Sequence, residues 1–213
     1  FGRPDKSVAV LNLGGIANLT FLAADGTTTG FDCGPANALM DHWCERHLGR
    51  SFDSAGDWAA SGTVDAKLLG AMQGDPYFAL APPKSSGRDR FNPQWLERAL
   101  AVAPAREARD VQATLAELTA RVCATDVLRH AGTAGELLVC GGGAFNDHLI
   151  RRLSALLPGV SVVRTDVRGL PATQVEAAAF AWLACAHCER RTANIPAVTG
   201  AAGARVLGAL YPA

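Results

Sequence analysis

Asp32 is the residue of this chain whose type and setting most invite chemistry. It lies in Gly30-Phe-Asp32-Cys33-Gly34-Pro35-Ala36-Asn37, after a β-branched run and before a stretch with helical spacing. An aspartate just ahead of a helix sits near the positive end of the backbone dipole. At the carboxyl edge of a sheet such a group can act as general base or metal ligand. The same position equally suits a helix N-cap or a turn. Two glycine turns follow apolar runs, one at Gly14 and Gly15, the other at Gly141, Gly142 and Gly143 ahead of Asn146. Glycine lets backbone approach a ligand closely, and N–H groups in such turns can hold phosphate. Plain turns remain the alternative at both. Glu176 is predicted in the first turn of the last helix, as a dipole partner or as a ligand group.

Other reactive types show weaker patterns. Lys84, Arg88 and Arg90 lie in a Pro-containing stretch that reads as a solvated loop or interface, with phosphate contact as the alternative. His42, His47, His130, His148 and His187 have no metal-binding spacing. Cys185-Ala-His-Cys188 has no second pair to complete a four-ligand zinc site, and it falls near a helix end. The six cysteines therefore read as free thiols, and no metal site is expected. No Gly-x-Ser-x-Gly or Walker A pattern occurs.

The elements that must position these residues follow from periodicity. Short apolar runs at Val8–Leu13 and Ile16–Leu22 and a β-branched run at 27–32 predict three strands, with Asp25-Gly26 as a hairpin turn. Ala36, Leu39, Met40, Trp43 and His47 then recur at helical spacing, and Pro35 suits a first helical position. Residues 52–92 are less regular. Leu115, Leu118, Val122 and Val127 mark a second helix. A strand at Glu136–Cys140, a helix at 147–157, a strand at 160–164 and a helix at about 173–187 complete the chain. The last helix carries Val175, Ala178, Ala179, Trp182 and Leu183 on one face. This order predicts one α/β domain over 1–213, an antiparallel meander continuing into a mixed sheet with helices on both faces.

Composition excludes several classes. Twenty basic residues balance twenty acidic ones with no basic run, so the footprint of a nucleic-acid binder is missing. No apolar stretch reaches the ~18 residues of a membrane span. A soluble, cytoplasmic protein that binds neither nucleic acid nor membrane is the expectation.

Six segments in order resemble one family. Leu11-Asn-Leu-Gly-Gly-Ile-Ala-Asn-Leu-Thr20 and Gly30-Phe-Asp-Cys-Gly-Pro-Ala-Asn37 resemble segments of anhydro-N-acetylmuramic acid kinases. So do Phe52-Asp-x-x-Gly56 through Gly62, Pro83-Lys-Ser-Ser-Gly-Arg88 with Phe91-Asn92, Cys140-Gly-Gly-Gly-Ala-Phe-Asn146, and Val198-Thr-Gly-Ala201 with Leu207-Gly208. The resemblance implies the actin-like, ribonuclease H-like fold, with ATP in a cleft between two halves. It implies conversion of 1,6-anhydro-N-acetylmuramic acid, ATP and water to N-acetylmuramic acid 6-phosphate and ADP in cell-wall recycling. Asp32 then matches the base that activates water. Gly14 and Gly15 match a phosphate site; Gly141, Gly142, Gly143 and Asn146 match the nucleotide site. Gly34, Pro35, Asn37 and Glu176 match the sugar site. Ala36 stands where the family has glycine. The chain corresponds to the family's C-terminal half, without the N-terminal phosphate-gripping segment that supplies most groups for ATP and Mg2+. It is therefore expected to be inactive alone and to need that half, with a homodimer expected for the complete enzyme. A non-catalytic ligand-binding or subunit-interaction domain, or another actin-like sugar kinase, is the alternative.

Overall fold

A computed structural model describes residues 1–102 and 106–211. Strands β1 (Val8–Leu13), β2 (Ile16–Leu22) and β3 (Thr28–Pro35) form the expected antiparallel meander. Asp25 builds the second turn: its carboxylate accepts the Thr27 N–H at 2.8 Å, and Gly26 supplies the left-handed φ of 85°. The sheet continues from β1 through β4 (Glu136–Cys140) and β5 (Ser161–Arg164), both parallel, in the order β3-β2-β1-β4-β5. Parallel pairing of β1 with β4 requires a long crossover. The helices α1 (Asn37–Leu48), α2 (Asp57–Ser61), α3 (Ala66–Gln73), α4 (Pro93–Leu100) and α5 (Ala108–His130) fill it. α6 (Asp147–Leu156) joins β4 to β5, and α7 (Val175–Cys188) and α8 (Pro196–Thr199) follow.

Residues 52–100, irregular by periodicity, hold three short helices and two 3-10 turns, and two of the helices are started by side-chain caps. Asp65 accepts from Lys67 and Leu68 N–H, and Asn92 accepts from Trp95 N–H ahead of Pro93. Helices of 5 and 8 residues are too short for a period to declare itself. Behind them Tyr77, Phe78, Phe91 and Trp95 pack ring on ring at 5.3–6.1 Å. Each such pair contributes about 0.5–1.5 kcal/mol beyond its area burial.

α5 is the central helix, 23 residues long and longer than its sequence marks suggested. Nearly every residue from Val111 to Val127 is buried, as expected of a helix enclosed by other elements. Leu11, Leu13, Leu19, Phe31 and Cys33 share its core. The Thr119 hydroxyl donates to the Pro35 carbonyl at 3.0 Å.

Two expectations need correction around Asp32. β3 runs on to Pro35, so Asp32 lies inside the strand, not at its end. Pro35 pairs with Ile16 and is not the first helical residue; Ala36 occupies the cap. The extension is held by Ala36, Asn37 and Ala38 N–H groups, which donate to the carbonyls of Gly15, Gly14 and Gly15 at 3.0–3.1 Å. The expected apolar face of the last helix is not packed. Trp182 is 50% and Phe180 71% exposed, and among the described residues of α7 only Ala186 is buried.

Candidate active site

The register of the sheet lines up polar groups on the face turned away from α5. Asn12 pairs with Asn18, and Asn18 with Asp32. Directly paired residues share a sheet face, so the three form a row. Their neighbours Leu11, Leu13, Leu19 and Phe31 point the other way into the core. Glu176, in the first turn of α7, extends the row: its Oε1 accepts from Asn12 Nδ2 at 3.1 Å. A hollow of about 540 Å³ opens at the Asn18–Asp32 end of the row, lined also by Thr20, Ser85 and Thr199.

A bulge follows Asp32 directly. The register shifts between Asn18 and Ala17, which pair with Asp32 and Gly34 and leave Cys33 as the extra residue. Bulges bend the strand locally and concentrate near active sites. The Asp32 carboxylate is not a helix cap. Its Oδ2 accepts from Ser85 Oγ and from Ser86 N–H, each at 2.8 Å. The Tyr77 hydroxyl donates to its backbone carbonyl at 2.7 Å, and its own N–H donates to Lys84 O at 3.1 Å. Among the described residues no side chain or backbone group donates to Oδ1.

The two glycine turns meet because β1 and β4 are parallel neighbours, so their carboxyl ends coincide. Asn37 bridges them: its Nδ2 donates to Leu13 O at 2.9 Å, and its Oδ1 lies near Gly143. Gly141, at φ 80°, and Gly143 are required by packing, since added Cβ atoms would stand 2.4 Å from Asn12 Oδ1 and 2.6 Å from Leu13 Cβ. Gly142 differs: it is exposed, with nothing nearer than 3.8 Å to its absent Cβ. It lines a cavity of about 410 Å³ with Asn37, Asp41, Phe52, Phe145 and Asn146. Asn146 also caps α6 by accepting Leu149 N–H at 2.9 Å. Gly34 and Pro35 are buried, Gly34 beneath Phe78, so they shape the strand end and present no side-chain donor.

Asp41 was not singled out in the sequence, although it stands four residues after Asn37 and so on the same helical face. Burial pushes its carboxyl up to about 6, Arg88 opposes this, and Asp53 adds to it. Arg88, for which the sequence offered phosphate contact only as the alternative to a solvated loop, belongs to this site too. Its guanidinium lies 3.1 Å from where a Gly15 side chain would begin, so it sits against the Gly14–Gly15 turn. Its loop neighbours behave differently. Arg90 pairs with Asp75 at 2.5 Å. Lys84 is not solvated as expected but buried, 3.4 Å from Asp126. Burial pushes the Asp126 carboxyl above its usual range, with Lys84 pulling it back. Cys33, Cys44, Cys123 and Cys140 are buried free thiols; Cys185 and Cys188 are exposed ones.

Among the described residues no helix is long and apolar enough to cross a membrane. The fold matches that of the activator of 2-hydroxyisocaproyl-CoA dehydratase from Clostridium difficile, solved with bound ADPNP. The TM-score is 0.51 at 13% identity, over 81% of this chain and 57% of that one. The likeness is one of α/β fold alone. A sequence model for anhydro-N-acetylmuramic acid kinase matches residues 1–213. The chain is 59% identical over 218 residues to the anhydro-N-acetylmuramic acid kinase of Variovorax paradoxus, and 55% identical over 212 residues to that of Xanthomonas campestris pv. campestris. All of this chain takes part in each match, with 58% and 56% of those proteins. It thus spans somewhat more than half the length of the curated relatives it matches. With its entire described sheet and both glycine turns inside that match, the chain belongs to the anhydro-N-acetylmuramic acid kinase family.

Proposed function

We propose that these residues form one wall of a kinase active site that converts 1,6-anhydro-N-acetylmuramic acid, ATP and water to N-acetylmuramic acid 6-phosphate and ADP. The observation that carries this reading is the setting of Asp32, with Oδ2 fixed by two donors and Oδ1 open beside a polar hollow. Water attacks the anomeric carbon while Asp32 takes its proton. The bond from that carbon to the bridging oxygen O6 breaks, and its electron pair stays on O6. O6 then attacks the γ-phosphorus, and the β,γ-bridging oxygen leaves with ADP. Phosphoryl transfer depends mainly on positioning and charge stabilisation, which suits a site of fixed donors.

The sugar lies along the row of Asp32, Asn18, Asn12 and Glu176, where amide and carboxylate groups match its hydroxyls. Gly34 and Pro35 act by shaping the strand end beneath it. The nucleoside occupies the cavity at Asn37, Gly142, Gly143 and Asn146, with the exposed rings of Phe52 and Phe145 as apolar walls. Between the two, the Gly14–Gly15 turn and Arg88 meet the phosphates; guanidinium is well suited to phosphate oxygens. Mg2+ arrives with the nucleotide. The phosphates, and groups from the rest of the longer enzyme, would hold it. The remainder of the longer enzyme covers the exposed face of α7 and closes the cleft. The complete enzyme works as a homodimer in the cytoplasm, without nucleic acid or membrane.

The test is substrate dependence in the full-length protein. ADP release should require a sugar with an intact 1,6-anhydro bridge and should yield the 6-phosphate. Release indifferent to the bridge would overturn the reading. The 213 residues alone should show no turnover, because phosphates would be gripped from one side only.

A further inference from the structure

The donors that hold Asp32 sit on a strap, and the strap is pinned from beneath. Residues 82–86 run past β3 without regular structure, yet three of their groups meet Asp32: Lys84 O, Ser85 Oγ and Ser86 N–H. Between those contacts the Lys84 side chain turns inward. Its Nζ lies 3.4 Å from Asp126 Oδ2 on α5, with the two side chains 3% and 6% exposed. The same ammonium stands over the rings of Phe31, at 5.4 Å, and Tyr77, at 5.1 Å. Phe31 precedes Asp32 in β3, and Tyr77 donates to the Asp32 carbonyl. One buried cation therefore touches the strand, the turn and the helix that surround the carboxylate.

Stability is a poor reason for such a pair. Taking two charges out of water costs about as much as their attraction returns, and apolar residues of equal volume often serve as well. What a charge pair adds is a specific geometry, and a strap without secondary structure has little else to fix it.

We infer that Lys84 and Asp126 are positioning residues that set the strap, and through Ser85 and Ser86 the angle of the Asp32 carboxylate. This rests on the reading of Asp32 as the base. In the full-length kinase, Lys84→Met combined with Asp126→Asn keeps side-chain volume and leaves no unpaired buried charge. The KM values for ATP and sugar should stay within about 2-fold, while kcat falls roughly 10- to 100-fold, the scale of a small misplacement in a site. In an Asp32→Asn background the same pair of substitutions should cost less than about 2-fold, because groups acting as a unit are non-additive. Unchanged kcat in the double variant, or an equal loss in the Asp32→Asn background, would overturn the inference. Ser85→Ala reads the same geometry from an exposed hydroxyl, so it decides the matter if the double variant does not fold: a several-fold fall in kcat supports the inference and full kcat overturns it. An Asp32→Asn enzyme that retains turnover sinks the base reading itself. An inactive Asp32→Asn enzyme beside a fully active double variant sinks the positioning role alone.

Discussion

α5 and α7 are both rich in alanine and apolar residues, yet they live in opposite surroundings. α5 is enclosed along most of its 23 residues by the sheet and by α1, α2, α3 and α6. α7 leaves Phe180 and Trp182 to solvent and buries Ala186 alone. Periodicity reports which residues seek cover and is silent on what supplies it. For α5 the cover lies within these 213 residues. For α7 the cover, in the proposed account, is the rest of a longer enzyme.

The contrast can be broken by truncation. Leu118→Ala on α5 removes a fully buried side chain and should cost about 2–5 kcal/mol, read as a lower urea midpoint. Phe91→Ala in the aromatic cluster should cost about 3–5 kcal/mol by the same measurement. A loss below about 1 kcal/mol at either site would mean that the α5 side is not the core described here.

Asp41 lies between these extremes and sharpens the comparison through pH. Its folded pKa of about 6 exceeds the ordinary 3.8, so the folded chain holds this proton more tightly than the unfolded one. Ionising it therefore costs stability as pH rises through that window, and the cost is complete above about pH 6. Asp41→Asn should stabilise the chain by about 1 kcal/mol at pH 7, a figure reduced for the solvent access of the group. The gain should vanish near pH 4. Denaturation of both proteins at the two pH values checks the sign.

The smallest effect belongs to α7. Trp182→Ser should change the stability of the 213-residue chain by no more than about 0.5 kcal/mol. It should nevertheless reduce self-association, because an exposed apolar patch of this kind invites contact between copies. Light scattering over a range of concentrations would show it. A large loss of stability would mean that Trp182 is packed in solution.

Much of the scaffold was legible because it depends on local signals. The meander, the Asp25-Gly26 turn, β4, α6 and β5 all follow from short periods and turn residues. The surroundings of Asp32 were not legible, for the contacts are remote: Ser85 and Ser86 lie 53 and 54 residues away in sequence. Nor does any local pattern announce a bulge at Cys33 or the continuation of β3 to Pro35. Lys84 misled because lysine in a Pro-rich stretch is ordinarily solvated, and only the fold reveals Asp126 beneath it. Asp41 had a usable signal, its spacing of four from Asn37 on the same helix. Arg88 was legible only as one of three basic residues, since what sets it apart from Lys84 and Arg90 is the Gly14–Gly15 turn more than seventy residues earlier.

The most direct test of the account is turnover by the full-length enzyme carrying Asp32→Asn. The amide keeps the size of the side chain and an oxygen for Ser85 and Ser86, but it cannot take the proton from water. Turnover should fall by at least about 10²- to 10⁴-fold, the usual contribution of a general base. ATP and sugar binding, measured on the same preparation, should stay within several-fold. Retention of more than about a tenth of normal turnover would contradict the base role of Asp32 and the mechanism built on it.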